Sequence, residues 1–410
     1  MRIALLNKSR RKAGGAEKYI DGIVPELCSQ GHDLAFLHDV DTPDDRDGIF
    51  LPDSAPAWCI AEIGAERAIS ALRAWRPDVI YMQSSIDRKE IANAVAAIPT
   101  VFFCHDYVGT CISGHKSFQF PVMQPCSRRF GAPCLLHYYP RRCGGLNPVT
   151  MWNDYWKQSS RLNLLGMCKA IVTASEAMRD EYRKHGFNPE TIHQVPLFAS
   201  SGISDRISNF LDTTPTVQLG LDGPLRLLFA GRMDRLKGGE YFLDALPRAD
   251  EALGCPLEIT FAGDGPARPA WQRKAAEIAS RSNYLKIEFP GWLAVPEIGA
   301  RLQKCHLLVV PSVWPEPFGL VGVEAGLHGV PAAAFAVGGI ESWLKDGVNG
   351  RAAPGDPPTP SGLAAAIVRC LDDPDTYARL RQGAYDVASQ FTMKRHLDLL
   401  TKILAKAANG

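Results

Sequence analysis

Two glutamates in the second half of the chain lie in a stretch that is typical of a ligand-binding turn. The apolar run Leu307–Val310 predicts a buried parallel strand, and the residues after it include Glu316, Gly319 and Glu324. We predict a helix over Phe318–Leu327, with a proline at its entry. The N–H groups at such a helix start attract phosphate together with the helix dipole. A carboxylate on either side predicts a ligand with phosphate at its centre and hydroxyl-rich ends, as in a nucleotide sugar.

Cations and glycines follow the neighbouring predicted strands of the same half. After Leu225–Ala230 come Arg232 and Lys237, which can hold phosphate as a planar fork and as a point charge. Because the carboxyl ends of parallel strands meet at one edge of a sheet, the repetition of such turns indicates one ligand site. Later turns add two glycines and a backbone that can border a nucleobase. The glycines are Gly263 and Gly265, and the backbone is that of Trp292 and Leu293.

The first half opens with a strand, a glycine turn and a helix. The strand is Ile3–Asn7, and Gly14 and Gly15 lie where the backbone at the helix start can meet a phosphate. The third glycine and the acidic residue of a dinucleotide-binding fingerprint are missing. Further along, His105 directly follows the buried run Thr100–Cys104 and is expected at the edge of a cleft.

Residues 108–150 form a segment with cysteines, cations and aromatic rings. From Val108 to Ala174, eight Lys and Arg residues stand against one carboxylate, Asp154. Such a face can contact anionic lipid headgroups or a phosphorylated acceptor, and a solvated surface over packed rings is the alternative. The four cysteines lack CxxC spacing, so we interpret them as half-buried thiols of a lid, with a structural metal site as the alternative. They are Cys111, Cys126, Cys134 and Cys143.

Length and composition limit the class of protein. A chain of 410 residues is long for one core, and its alternating strands and helices predict an α/β fold with doubly wound parallel sheets. The net charge of +1 gives no argument for a nucleic-acid partner, and the 11 dispersed cysteines do not favour a disulfide framework. No apolar run approaches the roughly 18 residues of a membrane span. The first residues predict a strand rather than a signal peptide, which favours a cytoplasmic protein.

The composition also suggests where domains begin and end. We place a first domain over residues 1–198 and a linker rich in Ser, Thr, Asp, Gly and Pro over 199–224. A second domain covers 225–385, and a helical segment over 386–410 is expected to pack back on the first domain. Two nucleotide-fold domains that face each other would form a cleft.

Together these motifs resemble the retaining glycosyltransferases of family 4, which have the GT-B architecture of two Rossmann-like domains facing across a cleft. The resemblance covers nearly the whole chain. It is most specific from Leu225 to Asp356, where Gly-Arg…Lys-Gly, Gly-Asp-Gly, Glu-Pro-Phe-Gly and Gly-Gly follow in the family's order. The seven residues between Glu316 and Glu324 match the spacing of the family's two signature glutamates. The cysteine-bearing segment resembles that of some bacterial members only, which leaves the acceptor end less defined than the donor end.

The resemblance implies a role for each site residue. Glu316 would bind hydroxyls of the transferred sugar, Glu324 the ribose, and His105 would lie over the sugar at the reaction centre. Arg232 and Lys237 would bind the diphosphate as catalytic cations. Backbone groups would complete the donor site, from Phe318, Gly319 and Leu320 in the second domain and from Gly15 in the first.

The expected function is retaining transfer of a sugar from a nucleoside diphosphate sugar to an acceptor hydroxyl. No DxD-like carboxylate pair lies in a suitable loop, so no metal or other cofactor is expected to be required. UDP-sugars are favoured over GDP-sugars, and the acceptor is a lipid-linked, polysaccharide or glycoconjugate hydroxyl, with the protein on the inner face of the cell membrane. A nucleotide-sugar epimerase or hydrolase and a non-catalytic nucleotide-sugar-binding protein are the alternatives. The sequence leaves the base, the sugar, the acceptor and the oligomeric state open.

Overall fold

A computed structural model describes residues 1–12, 14–40, 48–199 and 223–410. Most of the predicted linker, residues 200–222, lies outside these described residues. The chain divides into two compact units. The first comprises Met1–Lys116, Ser127–Pro196 and Met393–Gly410, and the second comprises Ser117–Cys126 and Leu197–Thr392.

Strands and helices alternate along the first half. The strands are β1 (Arg2–Ser9), β2 (Asp33–Val40), β3 (Ala57–Cys59), β4 (Val79–Met82), β5 (Thr100–Cys104), β6 (Ser117–Phe118), β7 (Gln124–Pro125), β8 (Ala170–Thr173) and β9 (Ile192–Gln194). The helices are α1 (Gly15–Ser29), α2 (Ile60–Ile63), α3 (Ala65–Trp75), α4 (Lys89–Ala97), α5 (Pro133–His137), α6 (Pro148–Met167) and α7 (Glu176–Lys184). Strands β6 and β7 pair antiparallel with each other, and the others form a parallel sheet in the order β3-β2-β1-β4-β5-β8-β9.

The core of the first unit follows from the apolar patterns in its sequence. Strands β4 and β5 are buried along their whole length, as expected of parallel strands covered on both faces. Helix α1 places Ile20, Ile23 and Leu27 in the core at helical spacing. Ser175 caps α7, because its side chain accepts a hydrogen bond from the Met178 amide.

The second half repeats the alternation. Its strands are β10 (Leu225–Ala230), β11 (Leu257–Ala262), β12 (Leu285–Gly291), β13 (Leu307–Val310), β14 (Ala332–Ala336) and β15 (Gly350–Pro354). Its helices are α8 (Gly239–Leu253), α9 (Arg268–Ala279), α10 (Val295–Leu302), α11 (Val321–Leu327), α12 (Pro360–Leu371), α13 (Pro374–Ala388) and α14 (Met393–Asn409), with 3-10 turns at Arg235–Lys237 and Gly338–Ser342. The six strands form a parallel sheet in the order β12-β11-β10-β13-β14-β15.

Both sheets reverse their strand order beside the first strand of the unit. Strand β1 lies between β2 and β4, and β10 lies between β11 and β13. Open parallel sheets bind ligands outside the carboxyl ends of the strands at such a reversal. The prediction of an α/β fold with two Rossmann-like sheets is therefore confirmed.

One predicted helix is shorter than expected. Helix α11 begins at Val321, so the prediction that it starts at Phe318, directly after Pro317, is wrong. Gly319 has φ of +81°, a left-handed conformation that cannot belong to a right-handed helix. In addition, the Phe318 carbonyl accepts a hydrogen bond of 2.8 Å from the indole Nε1 of Trp343, which holds it outside the helical pattern.

The last helix belongs to the first unit. Helix α14 packs against β4, β5 and α1, and it buries Leu397, Leu400 and Leu404 there. His396 on this helix lies 2.7 Å from the carbonyl of Pro196 through Nδ1. The preceding helix α13 continues through Ala388, so residue 386 lies inside it.

Candidate functional site

The loops after β10 and β13 are bound to each other at the carboxyl edge of the second sheet. The Val313 amide donates to the Leu236 carbonyl at 2.9 Å. Gly238 lies directly against Pro311, where a Cβ at position 238 would be 1.8 Å from the Pro311 carbonyl oxygen. Because only glycine allows this approach and its φ of +66°, the sequence Lys-Gly brings the lysine to the glutamate-bearing loop.

Lys237 and Glu316 form an ion pair at this junction. The Nζ of Lys237 lies 2.6 Å from Oε1 of Glu316, and Ser312 donates its hydroxyl to the same oxygen at 2.6 Å. The Glu316 side chain is only 5% exposed, whereas Lys237 is partly open to solvent. The Lys237 ammonium also lies over the Trp314 ring at 5.8 Å from its centroid, a cation–π contact. The carboxylate is therefore held in one orientation by two donors.

Asp234 organises the cations that follow β10. Its Oδ1 accepts hydrogen bonds from the amides of Leu236 and Lys237 at 3.0 and 3.1 Å, which caps the 3-10 turn. Its Oδ2 lies 2.5 Å from Nε of Arg232, whose side chain is exposed. The Arg232 side chain is therefore exposed to solvent next to the turn that contains Lys237.

The segment after Glu316 is fixed by the glycine pair that follows β14. The Gly339 amide donates to the Glu316 carbonyl at 2.6 Å, and a Cβ at Gly338 would be 2.6 Å from the same oxygen. Phe318 is buried, whereas Gly319 and Leu320 after it are half-buried. The peptide groups of Phe318, Gly319 and Leu320 thus form a rigid non-helical turn before α11.

The glycines after β11 are required by close packing between loops. A Cβ at Gly263 would be 2.0 Å from the Gly231 carbonyl oxygen, and one at Gly265 would be 2.4 Å from the Met233 carbonyl oxygen. These positions therefore require glycine because two loops touch, without any ligand.

Three further predicted residues lie along the same sheet edge. Trp292 directly follows β12 and is exposed, and Leu293 beside it is half-buried. Glu324 lies in α11 and is half-buried. All three follow strands of the sheet that carries Lys237 and Glu316, which is consistent with one extended binding edge.

His105 follows β5 in the first unit and belongs to a cluster of rings. Its Nε2 lies 2.8 Å from Oε1 of Gln83, and its ring packs on Phe103 with centroids 4.6 Å apart. Burial, with a smaller effect from the nearby His396, lowers the pKa of His105 to about 3. The imidazole is therefore neutral near pH 7, and it can orient a hydroxyl but supplies no positive charge.

Gly14 and Gly15 differ in how closely the rest of the unit surrounds them. A Cβ at Gly14 would be 2.9 Å from the Glu17 carboxylate, whereas one at Gly15 would meet nothing within 4 Å. Glu17 is itself held by Asn7, which donates to it at 3.0 Å. Gly15, the first residue of α1, thus leaves open space at a helix start.

The four cysteines of the 108–150 segment form no disulfide, and Cys111, Cys126 and Cys134 are half-buried while Cys143 is buried. Among the described residues, no group of three or more His, Cys, Asp or Glu side chains could hold a metal ion.

Sequence reasoning identified Lys237 and Glu316 but missed the residues that orient them. Asp234 could have been found, because an Asp three residues before Lys237 is a typical cap of a helical turn. Ser312 carries no comparable signal, since its role depends on how the loop after β13 bends back on Glu316.

Two family models match the chain, one in each half. The model described as glycosyltransferase family 4 matches residues 13–199, and the model described as glycosyl transferases group 1 matches residues 224–373. The second match contains every predicted donor-site residue of the second unit.

Individual proteins agree with these models. The chain is 26% identical to the alpha-D-kanosaminyltransferase of Streptomyces kanamyceticus over 71% of its length and 74% of that protein. It is 35% identical to D-inositol 3-phosphate glycosyltransferase 1 of Catenulispora acidiphila, over 45% of this chain and 44% of that one. The crystal structure of Anabaena HepE in complex with UDP and glucose superposes with a TM-score of 0.64 at 19% identity, covering 99% of this chain and 100% of HepE.

The family models and the relatives identify a glycosyltransferase, and its two Rossmann-like α/β units are those of the GT-B class. The chain belongs to glycosyltransferase family 4, as the motifs around Glu316 and Glu324 predicted. Within the described ranges, no helix is both long and apolar enough to cross a lipid bilayer.

Proposed function

We propose that the chain is a retaining glycosyltransferase that moves a sugar from a nucleoside diphosphate sugar to an acceptor hydroxyl. The observation that carries the proposal is the Lys237–Glu316 pair, a cation and a carboxylate fixed side by side at the carboxyl edge of the second sheet. One suits the diphosphate and the other suits sugar hydroxyls.

Departure of the diphosphate is the step that this site would assist. Cleavage of the sugar–phosphate bond leaves negative charge on the diphosphate and an oxocarbenium-like sugar. Lys237 and Arg232 supply positive charge to the leaving group, with the N–H groups of Phe318, Gly319 and Leu320 as neutral donors. Because α11 has only seven residues and starts after this turn, we assign most of the stabilisation to the two side chains.

The other site residues bind and orient the donor. We assign Glu316 to hydroxyls of the transferred sugar and Glu324 to the ribose. Gly15 would admit a phosphate to the start of α1, since nothing else fills that space. Neutral His105 would orient a sugar hydroxyl, because its Nδ1 can accept a hydrogen bond from that hydroxyl while its Nε2–H donates to Oε1 of Gln83.

The donor we favour is a UDP-sugar, in keeping with the HepE structure, which holds UDP and glucose. For the acceptor we favour a lipid-linked, polysaccharide or glycoconjugate hydroxyl, with the enzyme working in the cytoplasm at the inner face of the cell membrane. The leaving phosphate would take the acceptor's proton on the face that it vacates, so that the anomeric configuration is retained.

Donor and chemistry can be tested separately. In a thermal-shift panel of nucleoside diphosphates, a ligand at 100 times its Kd should add about 2.7 kcal/mol to stability, and we expect UDP to do so. Incubation of the protein with radiolabelled UDP-sugars, with and without lipid extract, should give a labelled glycoconjugate. Label that appears only as free sugar would contradict transfer, and a product of inverted configuration by NMR would contradict retention.

A further inference from the structure

Large apolar side chains are exposed in one short part of the first unit. Leu146 is 82% exposed, Val149 64%, Trp152 50% and Trp156 57%. Val149, Trp152 and Trp156 follow each other at intervals of three and four residues on α6, so they share one helical face, and Leu146 lies two residues before that helix. We call these four residues the tryptophan face. An exposed apolar group of this kind marks an interaction site more often than an ordinary surface does.

The tryptophan face rests on buried rings and is therefore presented rigidly. Trp152 lies edge-on to Trp156 with centroids 5.9 Å apart and stacks on Tyr155 at 6.3 Å. Tyr155 in turn contacts Phe130 at 5.2 Å, which is buried. The two tryptophans are thus anchored from beneath while about half of each remains outside.

Cations accompany the tryptophan face. The contact between Phe130 and Tyr155 places Arg128 and Arg129, both exposed, close to α6. Lys157 follows Trp156 directly and is exposed as well. Between residues 107 and 169 the sequence has eight Lys and Arg and one carboxylate. Three of these cations pair with carboxylates from elsewhere in the first unit, Lys116 with Glu181, and Lys157 and Arg161 with Asp87, so the positive charge exceeds the negative charge also when these partners are counted. The surroundings of the face therefore favour an anionic partner.

We propose that the tryptophan face docks the protein on the surface of an anionic lipid bilayer. Tryptophan is favoured at the level of lipid headgroups, and cations beside an apolar helical face add attraction to acidic lipids. Leu146 and Val149, just before and at the start of α6, are the most exposed of the four side chains, which suits shallow insertion into a lipid surface. Docking on the bilayer does not depend on the proposed function. Only its purpose, access to a lipid-linked acceptor, rests on that proposal.

The test is co-sedimentation of the full chain with vesicles, which needs neither donor nor acceptor. Wild-type protein should bind phosphatidylcholine vesicles that contain phosphatidylglycerol, and bind pure phosphatidylcholine vesicles much less. The double variant Val149→Ser/Trp156→Ser should lose about tenfold or more in partition coefficient. Its matched control is Val295→Ser/Tyr284→Ser in the second unit, at residues 61% and 58% exposed, which should bind as wild type does.

A charge variant tests the electrostatic part. Arg128→Ala should weaken binding to phosphatidylglycerol vesicles about fivefold, and added salt should weaken wild-type binding as well. Arg281→Ala, at an exposed surface helix end of the second unit, is the control and should change nothing.

Several outcomes would overturn the proposal. These are equal binding of the wild type and the tryptophan-face variant, equal binding to both vesicle types, or a wild-type oligomer that the variant converts to a monomer without any vesicle binding. The last would identify the face as a contact between copies of the chain. Transfer to a water-soluble acceptor is measured in parallel, so loss of vesicle binding and loss of catalysis are distinguished.

Discussion

Lys237 and Glu316 are bound to each other across two loops, with Nζ and Oε1 2.6 Å apart. The sequence suggested different ligand groups for them, the diphosphate for the lysine and the sugar for the glutamate. Because they are paired, each restrains the other before a ligand arrives, and the site is pre-organised. The charge that Lys237 offers to a phosphate is reduced by the adjacent Glu316 carboxylate, as that of Arg232 is by Asp234.

Replacement of the lysine should impair catalysis more than folding. Lys237→Ala should lower kcat/KM by about 100-fold or more, the effect of removing one fixed donor from a developing oxyanion. Steady-state kinetics with the preferred donor measure this. Lys274→Ala is the matched control, because Lys274 pairs with Glu240 and Asp244 on the outer helix α8. Similar losses in both variants would refute a catalytic role for Lys237.

The two signature glutamates should give different kinetic defects. Glu316→Ala should chiefly lower kcat, since the carboxylate that we assign to the reacting sugar is lost along with its contacts to Lys237 and Ser312. Glu324→Ala should chiefly raise the KM for the donor. Full kinetics over a range of donor concentration separate the two effects. Equal changes of kcat and KM in both variants would contradict this division.

Replacement by alanine should lower stability at one glycine and UDP affinity at another. Gly338→Ala should lower stability by about 1–2 kcal/mol, because a left-handed φ of +57° disfavours any Cβ and the new atom would press on the Glu316 carbonyl. Gly15→Ala should fold as wild type does, yet bind UDP more weakly, because its Cβ occupies only open space at the helix start.

Thermal unfolding with and without UDP measures both glycine variants. Gly299→Ala on α10, where a Cβ also meets nothing within 4 Å, is the control and should leave UDP binding unchanged. Normal UDP affinity in Gly15→Ala would remove this glycine from the donor site.

The stability of the first unit should fall in mild acid. Burial lowers the pKa of His396 to about 4, although its hydrogen bond to the Pro196 carbonyl acts in the opposite direction. A histidine in the unfolded chain has a pKa near 6.5, so between pH 6.5 and 4 the unfolded state binds more protons. The contribution is complete above pH 6.5 and decreases as pH falls, by up to about 1.4 kcal/mol per pH unit for each such histidine.

Urea unfolding of the full chain at several pH values measures this dependence. His396→Gln should flatten the decline between pH 6.5 and 4, while His137→Gln, on the short surface helix α5, should not. An unchanged slope in His396→Gln would show that this histidine does not control acid stability.

The sequence predicted strands correctly where a continuous apolar run is bounded by residues that end secondary structure. β5 and β13 are continuous apolar segments, and the strand predicted at each has the bounds that the structure shows. The helix at Phe318 was misplaced because Trp343, 25 residues later, binds the Phe318 carbonyl, and local propensity contains no information about that partner. Ser312 was missed because its hydrogen bond to Glu316 depends on the course of the loop after β13, which local propensity does not determine either. Glycines in turns did not by themselves distinguish a ligand site from close packing. Gly263 is required by contact with Gly231, whereas no neighbouring atom requires a glycine at position 15.

The position of α14 has a consequence for how the protein is made. The first unit takes residues Met393–Gly410 into its core, but a ribosome must translate the whole of Leu197–Thr392 before it reaches them. At about 5–20 residues per second this interval lasts roughly 10–40 s. During that time the surfaces of β4, β5 and α1 that will receive Leu397, Leu400 and Leu404 are uncovered. The nascent first unit therefore exposes an apolar surface, of the kind that chaperones bind, until Met393–Gly410 have been made, and it cannot complete its core before Leu197–Thr392 have been translated.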